Sequence, residues 1–123
     1  MKTTAGQLRE KIAFDSRGSY VGPDDGNTEG PFVERFKLSA GRVFLTGTET
    51  VMASRLEGRQ PVLLTVRNTS LSKQITTDWQ ARDARSGDFV DGKWTGITYA
   101  IKAINPTKDR EWINILVESG VAS

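Results

Sequence analysis

The strand-like runs in the second half of this chain stand too close together for a helix to cross between them. PVLLTVR, ITTDWQARDA, a run at 97–104 and a run at 111–117 follow one another across NTSLSKQ, RSGDFVDGKWTG and NPTKDR. Parallel neighbours need a crossover of about a dozen residues or more, usually helical. Two of these links are shorter, and the middle one carries its own tight-turn signal, Asp91-Gly92. The pattern therefore predicts a mainly β fold, a small antiparallel barrel or sandwich with one packed α-helix and long exposed loops.

The first half supplies the remaining elements. LREKIAF alternates imperfectly and predicts a short helical start running into a strand at 11–15. Residues 15–31, with four glycines and two prolines in SRGSYVGPDDGNTEGP, read as an exposed loop or hairpin tip. In FVERFKLSAGRVFL, Phe36, Leu38 and Ala40 share one face. Val43 and Leu45 fall on the other parity, which predicts a bulge or bend at Gly41. The helix is expected at 46–58: Thr46 and Glu49 have capping-box spacing, Val51, Met52, Arg55 and Leu56 form a narrow stripe, and Gly58 is a C-terminal stop. In the last strand Ile113, Ile115 and Val117 alternate with Trp112 and Leu116. These two outer residues are candidates either for core packing under the helix or for contact with another subunit.

Composition narrows the chemistry. The 123 residues suit one domain spanning 1–123. Seventeen basic residues against fifteen acidic ones leave a net charge of +2, a weak pull on polyanions. With no His and no Cys there is no zinc site of the usual kind, no imidazole base and no thiolate nucleophile, and no cofactor is implied. The N-terminal residues lack the apolar core of a signal peptide, and no apolar run approaches membrane-spanning length. Asp24, Asp25, Asn27 and Glu29 lie among glycines but lack the spacing of a calcium loop, so a solvated turn is the plainer reading. Asp78, Asp83, Asp88 and Asp91 are spread over a strand and a hairpin, which gives a catalytic carboxylate pair no evident point of convergence. Arg55, Arg59, Arg67, Lys73, Arg82 and Arg85 with Trp79 and Trp94 are candidates for a stacking groove. They support an alternative reading, a single-stranded nucleic-acid-binding β-barrel module.

The order of strand and turn patterns, from AGQLREKIAFDSR and FVERF through TETVMASRLEGRQPVLLTVRNTS and ITTDWQARDARSG to YAIKAI and REWINILVESG, resembles the phage head-tail joining family. These are the head-closure, or stopper, proteins of long-tailed phages and gene transfer agents. The resemblance covers nearly the whole chain. One departure is the segment DFVDGKWTGIT, which elongates the hairpin at 88–98.

The resemblance implies a non-enzymatic virion protein at the head-tail interface, assembled in the host cytoplasm. It implies a homo-oligomeric ring, six- or twelvefold, between a portal-bound adaptor protein and a tail terminator or tail-tube joining protein. DNA would pass through the lumen without sequence specificity, and no membrane is involved. By position, Thr46, Gly47, Thr48, Glu49, Arg55, Gly58 and Arg59 are the candidate gate or channel segment. Arg17, Tyr20, Asp24, Asp25, Asn27 and Glu29 form the candidate ring-contact loop.

Overall fold

The structure, a computed structural model, describes residues 8–21, 27–45, 52 and 58–120. Among the described residues eight strands follow one another: β1 (Glu10–Val21), β2 (Asn27–Phe44), β3 (Gln60–Arg67), β4 (Gln80–Asp83), β5 (Phe89–Val90), β6 (Lys93–Trp94), β7 (Thr98–Pro106) and β8 (Trp112–Ser119). Six of them close into an antiparallel barrel in the order β1-β2-β3-β8-β7-β4, and β5 and β6 form a separate two-stranded hairpin.

Period-two alternation builds the interior. Along the β3–β8 ladder Val62 faces Val117, Leu64 faces Ile115 and Val66 faces Ile113, and all six side chains are buried. Ile12 and Phe14 of β1, Ala40 of β2, Ala81 of β4 and Tyr99 and Ile101 of β7 complete the same cluster. Each strand turns one face inward, so closure buries one apolar stripe from every strand and leaves the barrel itself no open edge. A bulge at Lys102, between the pairs Ile101–Val117 and Ala103–Leu116, keeps both Ile101 and Ile104 on the core side of β7.

The hairpin expected at Asp91-Gly92 is present, with φ of 53° and 78° at its two turn residues. Both values lie in the left-handed region, the requirement of a type I′ turn. The final strands fall where the sequence places them.

Two expectations change. Residues 15–31 are not simply a loop, because β1 runs on to Val21 and β2 begins at Asn27, the two pairing as a ribbon up to Val21–Asn27. Main-chain bonding holds that ribbon past the point where β4 stops at Asp15, so it needs no apolar alternation to form. Asp15 and Ser16, within the expected loop, are buried. Nor does β2 bulge at Gly41. The strand changes partners there, from β1 through Ala40 to β3 from Gly41, and keeps its parity. Val43 consequently points outward and is 58% exposed. The irregularities lie instead opposite Arg35 and near Gly18. Between β3 and β4 a 3₁₀ turn occupies Ser72–Gln74. The helix expected at 46–58 lies outside the described residues except for Met52, which is helical and exposed, and Gly58, which lies in a turn.

Candidate assembly surfaces

Three external features stand out on the barrel. The first is a lateral row on its outer wall. Val43 pairs with Leu63, Leu63 with Leu116, and Leu116 with Ala103, which sets four apolar residues side by side across β2, β3, β8 and β7. Thr65 and Asn114 lie in the adjacent row and share a 2.9 Å hydrogen bond. Leu116, expected at a core or a subunit contact, is thus half-buried on the outer wall. Trp112 shares its parity but is only 6% exposed, covered by the Arg67 guanidinium 5.1 Å from the ring centroid. Its indole Nε1 is buried without a hydrogen-bond partner.

The second feature is the β1–β2 ribbon. Arg17 is exposed and its guanidinium carbon lies 4.3 Å from the Phe32 ring centroid. Tyr20 pairs with Thr28, Ser19 with Glu29 and Val21 with Asn27. Asp24 and Asp25 lie outside the described residues.

The third is the elongated hairpin, fastened to the barrel by Arg82. This arginine, on the outer parity of β4, is 2% exposed. Its Nε donates to Asp15 Oδ2 at 2.6 Å, and its Nη2 donates to Asp15 Oδ1 and Glu34 Oε1, each at 2.8 Å. Gln80 Nε2 donates to Asp15 Oδ2 at 2.8 Å. The Phe89 and Trp94 rings each lie 4.8 Å from the guanidinium carbon, and they contact each other at 5.2 Å. Hydrogen bonding to Asp15, opposed by burial and reinforced by Glu34, raises the Arg82 pKa above its ordinary value. A shallow depression lined by Asp15, Phe32, Glu34, Gln80, Arg82, Phe89 and Trp94 marks the seam. Bonds within the protein already occupy the carboxylates there. At the hairpin root, a Cβ on Gly87 would stand 2.5 Å from the Gly96 nitrogen, so the two legs cross in close backbone contact.

A second charged cluster sits at the barrel end. Arg42 Nη1 donates to Asp83 Oδ2 at 2.7 Å and to the Tyr99 hydroxyl at 3.4 Å, and Nη2 lies 3.5 Å from Glu10 Oε2. Burial disfavours the Arg42 charge, but the bonds to Asp83 and Tyr99 outweigh it and raise its pKa. Burial also raises the pKa of Tyr99.

The other sequence candidates are not brought together. Thr46, Gly47, Thr48, Glu49 and Arg55 of the gate segment lie outside the described residues; Arg59 is exposed, and Gly58 occupies a turn with φ of 83°. Of the stacking-groove residues, Trp79 packs on the core 5.6 Å from Phe36, Arg67 covers Trp112, and Arg82 is enclosed beneath Trp94. These three are engaged within the fold, while Arg59, Lys73 and Arg85 are exposed and Arg55 lies outside the described residues. Asp83 is committed to Arg42, while Asp78, Asp88 and Asp91 are exposed and apart. Among the described residues no group of acidic side chains is placed to hold a metal ion. Sequence reasoning missed the Asp15–Arg82–Glu34 cluster, whose only sequence signal is an arginine on a strand that also carries core alanine.

These features define a small closed β-barrel whose distinguishing surfaces lie outside its core. The profile of the phage head completion proteins matches residues 3–120, and the chain belongs to that family. Two solved structures share the fold. One is the solution structure of protein SF1141 from Shigella flexneri 2a, with TM-score 0.67, 17% identity, and coverage of 98% of this chain and 100% of that one. The other is a chain of the virion of a native gene transfer agent particle, with TM-score 0.59, 10% identity, and coverage of 93% and 96%. No curated protein matches the chain.

Proposed function

We propose that this protein is a structural ring connector, seated between the portal-bound adaptor and the tail of a phage or phage-like particle. It closes the head after packaging, docks the tail terminator or tail-tube joining protein, and catalyses no reaction. The family match over residues 3–120 carries this reading. The geometry supports it in two ways. A closed barrel is a stiff unit with no edge of its own to aggregate, and its projecting ribbon and outer apolar row offer different patches to different neighbours. Nearly balanced charge suits a lumen that passes DNA without gripping it, because every phosphate neutralised adds affinity. The gate is assigned to residues 46–60, with the left-handed backbone of Gly58 as one hinge.

Particles made without this protein should package DNA into heads that fail to bind tails and lose their DNA. Supplying the protein in trans should restore both. Tailed, DNA-retaining particles in its absence would overturn the assignment.

A further inference from the structure

The elongated hairpin and the centre of the outer apolar row lie on opposite walls of one cylinder. In the closed order β1-β2-β3-β8-β7-β4, the hairpin packs on Arg82 and Asp15 at the seam of β4 and β1, and the row centres on the seam of β3 and β8, half-way round. Both walls are apolar on the outside. Phe89 is 59% exposed although its ring lies against Arg82, and Val90 beside it is 55% exposed. Across the barrel Leu63 and Leu116 pair at the middle of the row, with the exposed Val43 at one end and Ala103 at the other.

The hairpin is held in shape by its own side chains. Thr95 Oγ1 accepts from the Asp88 amide at 3.0 Å and donates to the Asp88 carbonyl at 2.9 Å. Ser86 Oγ accepts from the Ile97 amide at 2.8 Å and donates to the Asp83 carbonyl at 2.7 Å. Trp94 Nε1 donates to the Ile97 carbonyl at 3.2 Å. These bonds fix both legs and the root before any partner arrives, so docking the tip costs little ordering entropy. A pre-set arm that leaves a Phe and a Val in water has the form of an interface anchor.

We infer that Phe89 and Val90 of one copy seat on Leu63 and Leu116 of the next. The inference rests on the ring reading and names its contact. A ring joins unlike patches head to tail, and each copy must meet one neighbour on either side, which patches on opposite walls allow. The charges agree with this pairing. Residues 88–95 carry two exposed acids, Asp88 and Asp91, and one base, Lys93. The outer wall of β3, β8 and β7 carries two exposed bases, Arg67 and Lys102, and one acid, Glu118, whose side chain is 14% exposed and lies 3.9 Å from Lys102. An acid-rich arm against a base-rich wall favours the head-to-tail pairing over arm on arm or wall on wall. Two anchors make a small contact, so joining depends on the high local concentration created when subunits are held on a symmetric partner ring.

The chain has no cysteine, so paired cysteines report the contact directly. Val90→Cys is combined in one chain with Leu63→Cys, and in a second chain with Leu116→Cys. In each pair the two positions stand on opposite walls and cannot join within one barrel. The variants are assembled into particles and a mild oxidant is added. A ladder of disulfide-linked multimers from at least one pair, seen in particles and not in the free protein, is the expected result. Particles that show rings by electron microscopy but yield no ladder from either pair overturn the contact and leave the ring reading standing. Particles holding the protein without a ring overturn both. Hydroxyl-radical footprinting of the unsubstituted protein gives an independent readout. Phe89 and Leu116 should label in the free chain, and both should lose most of that labelling on assembly. Phe89 labelled as strongly in particles as in the free chain would overturn the proposal.

Discussion

Asp15→Ala should be among the most destabilising single substitutions in this protein, and the structure says why. Asp15 and Arg82 are each 2% exposed, and the carboxylate receives both guanidinium bonds as well as the Gln80 amide. Truncating it leaves a buried cation with one remaining carboxylate, Glu34, whose side chain is 38% exposed. Breaking a buried pair from one side costs about 3–5 kcal/mol. At about 3–6 °C per kcal/mol for a domain of this size, the melting temperature should fall by about 10–25 °C. Arg82→Met should fall comparably, because it strands the Asp15 carboxylate and removes two cation–π contacts worth about 0.5–2 kcal/mol each. Removing both charges in Asp15→Leu/Arg82→Met should return stability to within about 1–2 kcal/mol of the unsubstituted protein, since replacing a whole buried pair is often close to neutral. Urea and thermal unfolding of the four proteins complete the cycle. A loss below about 1 kcal/mol for Asp15→Ala, or a double variant as unstable as the two singles summed, would refute the reasoning. The hairpin adds a local readout: Arg82→Met should speed amide exchange in β5 and β6 more than in β3.

Trp112→Ala should cost about 3–5 kcal/mol, in line with a buried large side chain, whereas Trp112→Phe should cost much less because it also removes a buried indole N–H with no partner. Equal losses in denaturant melts would show that the N–H is satisfied after all. Gly120→Ala should destabilise more than Gly58→Ala. Both positions have φ above 80°, but an added Cβ at Gly120 would collide with the Gly58 carbonyl oxygen, while at Gly58 it would meet open space. A thermal melt of each variant decides the order, and a reversed order would count against the close approach of Gly120 to Gly58.

What the sequence made legible follows from what alternation encodes. Ile113, Ile115 and Val117 declare their buried face because the core rewards every second residue, and Asp91-Gly92 declares its turn because few residue pairs accept two positive φ values. The β1–β2 ribbon is not legible in the same way, because its pairing is main-chain bonding in a largely polar stretch, which leaves no apolar signature. The apolar parity change at Gly41 implies a bulge only if Val43 is buried. That residue sits on the outer wall, where an apolar side chain is not required to be buried. The Arg82 cluster is illegible in the sequence for another reason. Its members come from three strands, and a pair that satisfies itself only after folding leaves no local spacing to recognise.

The closure of the barrel also sets a timetable. Arg82 and Asp15, which meet where β1 joins β4, are 67 positions apart in sequence. β8, near the end of the described chain, is the strand that bridges β3 and β7. Until it emerges from the ribosome, β3 and β7 each lack a neighbour, and the cylinder cannot shut. Folding dominated by such distant pairings takes roughly milliseconds to seconds. The nascent chain therefore carries the open margin of β3 from Arg67 onward and that of β7 from Pro106, and the native cylinder forms only after translation has delivered β8.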